Sequence, residues 1–166
     1  MWLCGSEKAP GPDGFNFKFF KRYWNIIGKE VVEAVQFFGV HKTISGGCNS
    51  SFITLVPKSS NPLTLSDFRP INLIGSITKI ISKTLAERLK MVIGKVIDKK
   101  QTGFVTGRNI NDGPLMVNEV ISWAKRSKKK ILLFKTDFEK AFDTLNWNFL
   151  DNCMEQMGFG RIGGLG

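Results

Sequence analysis

Residues 131–143 read I-L-L-F-K-T-D-F-E-K-A-F-D, and the apolar run that opens this stretch constrains the fold more than any other. Ile131 to Phe134 is a short β-type run entered from a basic turn, R-S-K-K-K, at 126–130. It reads as a buried strand over about 131–137. Asp137 stands at its end, and the aromatic–acid pair Phe142-Asp143 follows. A buried strand fixes the backbone, and its end brings a carboxylate out where a hard cation and a phosphate can reach it. Taken alone, the same residues suit a turn or a helix cap, because Asp starts both.

Size and charge narrow the field. The chain of 166 residues is long enough for one domain or for part of a larger one, and it is 42% hydrophobic with 14 Phe and 4 Trp. Lys and Arg number 24 against 14 Asp and Glu, a formal charge of +10. Such a balance favours nucleic acid or phosphorylated ligands, although a plain soluble basic surface has the same signature. Cys4, Cys48 and Cys153 are far apart and odd in number, so they outline neither a disulfide framework nor a zinc site. His41 is the only histidine, has no nucleophile near it in sequence, and reads as a surface residue. No apolar run reaches membrane-span length, and the N-terminus lacks the regions of a signal peptide. An intracellular, reducing location in nucleus or cytoplasm is expected.

Along the chain, K-A-P-G-P-D-G at 8–14 is turn-rich and non-helical. Phe15 to Phe38 shows helical spacing, with Phe19, Phe20, Tyr23, Trp24, Ile27, Val31, Val35 and Phe38 as core positions. Phe52–Val56 and Phe68–Leu73 read as a hairpin with a long connection, and Pro70 marks the second strand as short and at an edge. Ile74 to Ile97 is a long amphipathic helix with Ser76 as its cap, striped by Ile77, Ile80, Ile81, Leu85, Leu89, Val92 and Val96. A loop over 98–113 leads to a helix over Pro114–Lys125, and a last helix spans Asn146–Met157. The glycine-rich tail at 160–166 is expected to be unstructured. No composition shift marks a second domain.

Four segments stand in a telling order: K-A-P-G-P-D-G-F (8–15), I-T-L-V-P-K (53–58) with D-F-R-P-I-N-L (67–73), Q-T-G-F-V-T-G-R (101–108), and K-T-D-F-E-K-A-F-D (135–143). Together they resemble the N-terminal half of a reverse transcriptase of the LINE type, from non-LTR retrotransposons and especially plant elements, over residues 8–159. The resemblance implies an α+β chain, a partial right-hand polymerase fold with fingers and an incomplete palm. It implies RNA-templated DNA synthesis by two-metal nucleotidyl transfer, with Mg2+ as cofactor. The partners would be an RNA template, a DNA primer and deoxynucleoside triphosphates.

Residue roles follow from the same resemblance. Asp137 matches the first catalytic aspartate and Phe138 lends its backbone carbonyl to the same metal. Phe142 matches the aromatic position under the sugar that selects deoxynucleotides. Asp143 is expected to be a structural acid or a helix-start residue. Lys58 and Arg69 match the two fingers cations that hold the incoming triphosphate; without the resemblance both would pass as ordinary surface charges. Arg suits phosphate because its planar fork donates two hydrogen bonds at once. Gln101, Gly103 and Phe104 match the Q-x-G-F loop along the template, Gly103 permitting close backbone approach, and Arg108 is a candidate phosphate contact there. One departure matters. The family's x-x-D-D pair, which completes the metal site, occurs nowhere in these 166 residues. The expectation is a truncated domain, inactive alone, with a non-catalytic nucleic-acid-binding module as the alternative.

Overall fold

The computed structural model describes residues 1–138, 141 and 143–160. It is α+β, with five α-helices and one two-stranded sheet among the described residues. The chain divides into two compact units, Met1–Met91 and Val92–Gly166.

In the first unit, α1 (Phe17–Arg22) and α2 (Trp24–His41) replace the single helix expected from the spacing. Asn16 caps α1 by accepting from the Phe19 N–H at 3.1 Å. Tyr23, at φ −103° and ψ 20°, breaks the run, so two shorter helices turn apolar sides to one core. That core is Phe17, Phe20 and Val31 closed by Ile80, with Trp24, Ile27, Val35 and Ile77 packed against it. His41 is exposed, as expected, its ring 4.2 Å from that of Phe37.

The hairpin is β1 (Ser51–Pro57) antiparallel to β2 (Phe68–Ile74), in register from Ser51 opposite Ile74 to Pro57 opposite Phe68. The bond from Lys58 N–H to the Asp67 carbonyl, 2.7 Å, extends the ladder by one rung. Counting back by alternation puts Pro70, opposite Leu55, at a non-hydrogen-bonded rung, where its missing donor costs the ladder nothing. The connection closes on Asp67. Its carboxylate accepts from the N–H of Leu63 and of Thr64 and from the Thr64 hydroxyl. Those bonds, chiefly the one from the Thr64 N–H, hold its carboxyl below the ordinary range.

Helix α3 (Ser76–Val96) starts where expected but is capped otherwise. Ser76 is buried and spends its hydroxyl on the Phe15 carbonyl at 2.9 Å. The cap is Asp13, whose carboxylate accepts the Ser76 N–H at 2.5 Å from 63 residues upstream. Gly11 is buried against the same junction, and a Cβ there would lie 2.3 Å from the Ile74 carbonyl oxygen. Lys79 donates to the Ala9 carbonyl at 3.0 Å, and the Thr78 hydroxyl to that of Cys48 at 2.8 Å. The P-G-P-D-G segment is therefore bolted to the joint between β2 and α3. The expected apolar stripe is buried at Ile80 and Ile81 and exposed at Leu85 and Leu89.

In the second unit, α4 (Asp112–Arg126) and α5 (Trp147–Gln156) lie within two residues of the expected bounds. Asn146 caps α5 through the Phe149 N–H at 3.0 Å. Ala124 is the one buried side chain among the described residues of this unit. The expected strand is not formed: residues 131–138 have no regular secondary structure, and Leu132 and Phe134 are 93% and 83% exposed. An apolar run becomes a strand only when another strand takes its amides, and no described segment pairs with it. The expected unstructured tail, apart from Gly160, lies outside the described residues.

Candidate functional site

The hairpin puts Lys58 and Arg69, the two cations expected to hold a triphosphate, on one face. Arg69 on β2 faces Val56 on β1, and Lys58 sits two residues beyond Val56. Side chains two apart on an extended backbone share a face, so Lys58 and Arg69 stand on one face of the hairpin near its tip. Both are exposed. The Lys58 ammonium bonds the Ser66 carbonyl at 2.7 Å, which steadies it and leaves two of its three donors over. Arg69 makes no side-chain hydrogen bond or ion pair with any described residue, so its fork is open to an anion.

Gln101, Gly103, Phe104 and Arg108 share one loop in the second unit. The Gln101 amide nitrogen donates to the Gly103 carbonyl at 3.2 Å, folding the loop on itself. A Cβ on Gly103 would meet only that amide, at 3.9 Å, so nothing within the described chain demands glycine there. Two residues of the loop are left-handed: Gly107, at φ 82°, and Phe104, at φ 63°, with a fully exposed ring. A bulky side chain seldom adopts this conformation, and here the ring is carried outward with no packing to compensate. Arg108 differs from expectation. Its Nη1 donates to the carbonyls of Asp98 and Gln101, and its Nη2 to those of Gly94 and Ile97. Four of its five donors close the C-terminal end of α3, where orphan carbonyls collect, so little remains for a phosphate.

Asp137 and Phe138 are exposed, on the segment without regular structure. Phe142 lies outside the described residues. Asp143 is exposed in a turn ahead of α5. No group of three or more His, Cys, Asp or Glu side chains among the described residues could hold a metal ion. Asp137 offers one carboxylate, and one carboxylate does not fit a site that must hold two divalent ions. Sequence reasoning also missed Asp13 as a cap. A cap is sought beside its helix, and 63 residues of separation leave no local signal.

The profile of the family described as reverse transcriptase (RNA-dependent DNA polymerase) matches residues 56–163. The chain belongs to that family. Lys58, Arg69, the loop at 101–108 and Asp137 all fall inside the matched stretch. The chain is 28% identical over 158 residues to the "Transposon TX1 uncharacterized 149 kDa protein" of Xenopus laevis, covering 95% of this chain and 12% of that one. It is 25% identical over 105 residues to the "Retrovirus-related Pol polyprotein from type-1 retrotransposable element R2" of Popillia japonica, 63% of this chain and 14% of that one. The protein of the same name in Bradysia coprophila is 24% identical over 156 residues, 93% of this chain and 17% of that one. These residues are a partial reverse transcriptase domain of the non-LTR retrotransposon type, as the four motifs led one to expect. The chain spans less than a fifth of the length of these relatives. Among the described residues no helix is long and apolar enough to cross a membrane.

Proposed function

We propose that this chain supplies the nucleotide-binding and template-binding part of an RNA-templated DNA polymerase with a right-hand fold, working in the nucleus or cytoplasm. The observation that carries the reading is the pairing of Lys58 and Arg69 on one face of an exposed hairpin inside the family match. An ammonium and an open guanidinium side by side suit the spread negative charge of a triphosphate. Gln101, Gly103 and Phe104 contact the template, and the outward ring of Phe104 suits stacking on a base. In the complete domain Asp137, with the Phe138 carbonyl, would be one metal ligand, and Phe142, which lies outside the described residues, would be the aromatic that selects deoxynucleotides. Magnesium, were it held there by Asp137 together with carboxylates from the rest of the domain, would supply Lewis-acid chemistry to a primer hydroxyl and a triphosphate. No step is assigned to these residues alone, because they supply one carboxylate of the several that site needs.

The test is primer extension on an RNA template. The 166 residues by themselves should give no magnesium-dependent synthesis. A polymerase in which they run on into the x-x-D-D hairpin and thumb of a related element should synthesise DNA. Asp137→Asn should abolish that synthesis, and Arg69→Ala should raise KM for deoxynucleotides with a smaller change in kcat. Extension that survives Asp137→Asn refutes the site.

A further inference from the structure

We propose that the cationic turn closing α4, Lys125-Arg126-Ser127-Lys128-Lys129-Lys130, is a docking site for the backbone of single-stranded nucleic acid, with Trp123 as its stacking platform. The family membership fixes the class of partner, but the site uses none of the residues assigned above.

Five cations fall within six residues, all of them exposed. None makes a side-chain hydrogen bond or an ion pair among the described residues. Four lysines of the first unit behave differently: Lys18, Lys29, Lys83 and Lys90 are matched with Glu7, Glu33 and Glu87. A solvated helix face usually intersperses both signs, whereas this turn concentrates one.

The turn is a built structure and not a loose tail. The Lys129 N–H reaches the Ala124 carbonyl at 2.9 Å, and the Lys128 N–H that of Lys125 at 3.3 Å. These two bonds form a Schellman cap, whose left-handed position is usually glycine. Here it is Lys128, at φ 51°. A lysine there is strained where glycine would not be. The other left-handed lysine, Lys42, uses its ammonium locally, on the Gly39 carbonyl at 2.6 Å. Lys128 has no such bond, so its charge stabilises nothing visible within the chain. The cap also carries Lys129 over the Trp123 ring, its Nζ 5.2 Å from the centroid, while the ring stays 48% exposed. Phosphate-seeking cations around a half-open aromatic face are what a sequence-tolerant single-strand site needs. An acidic protein would use the cations alone, whereas an anionic membrane surface would take both cations and ring, and vesicle binding is the outcome that separates it from nucleic acid.

The experiment measures binding of the full chain to fluorescein-labelled oligouridylate and oligothymidylate by anisotropy, across a salt series. The variant K128G/K129Q/K130Q removes three charges. The control K18Q/K29Q/K90Q removes the same number from the first unit. The cap variant should weaken binding roughly tenfold or more and reduce the salt slope by about 2, near 0.7 for each lost phosphate contact. The control should change it little. Lys128→Gly alone should weaken binding while leaving the melting temperature unchanged or higher, because glycine relieves the strain; a purely structural cap would not separate the two. Equal loss in the control, an unchanged salt slope in the cap variant, or a loss that tracks melting temperature overturns the proposal. So does a cap variant that loses binding only to phosphatidylserine-containing vesicles, which would make the turn a membrane contact. Preference between the RNA and DNA probes tells which strand the turn takes.

Discussion

Replacing Asp13 by alanine tests whether the P-G-P-D-G segment holds the hairpin and α3 together. The Asp13 carboxylate is a charged acceptor at the positive end of a 21-residue helix, bonded to its first N–H at 2.5 Å. Losing a capping side chain costs about 0.5–2 kcal/mol. The favourable charge at the helix end contributes about 0.3–1 kcal/mol, which overlaps that figure. A loss of roughly 1–2 kcal/mol follows, or a melting temperature lower by roughly 2–8 °C for a chain of this size. Asp13→Asn keeps an oxygen acceptor without the charge and should lose about half as much. The assay is urea unfolding followed by far-ultraviolet circular dichroism, with amide exchange over Ile77–Ile80 to localise the change. Glu30→Ala, on the exposed side of α2, is the reference and should stay within about 0.5 kcal/mol of the parent. If Asp13→Ala behaves like Glu30→Ala, or if exchange in the first turn of α3 does not accelerate, the carboxylate is not the cap.

Gly11→Ala should be more damaging than Asp13→Ala by the same unfolding assay, by about 1–3 kcal/mol, because its Cβ would press on the Ile74 backbone and not on a side chain that can swing away. Arg108→Ala should speed amide exchange over 98–108 and weaken the second unit by about 1–3 kcal/mol, because carbonyls at the end of α3 lose their donor; Arg108→Lys should rescue it only in part. The depressed carboxyl of Asp67 makes the hairpin connection acid-sensitive. Its contribution is fully present above the unfolded aspartate value of about 4 and is lost as pH falls through the lower folded value. Amide exchange or chemical shifts at Leu63 and Thr64 should therefore report loosening in acid, and Asp67→Asn should remove that pH dependence.

Local periodicity made the helices legible. Helices α3, α4 and α5 fall close to their expected bounds because a helix satisfies its own backbone and shows its apolar stripe at short range. The hairpin was readable for a similar reason, as two β-type runs joined by turn residues with Pro70 marking an edge. Family motifs pointed to Lys58 and Arg69, and register then put them on one face. Three features depended on tertiary structure. Whether Ile131–Phe134 becomes a strand is decided by a partner's amides and not by its own apolarity. Arg108 turned from an expected phosphate contact into a helix stop because α3 ends in carbonyls that its fork can reach. Asp13 became the cap of a helix 63 residues away because chain folding, and not sequence distance, sets which carboxylate meets the first N–H. Short-range patterns settle what a segment does for itself; what it does for a distant segment exists only once the chain has closed on itself.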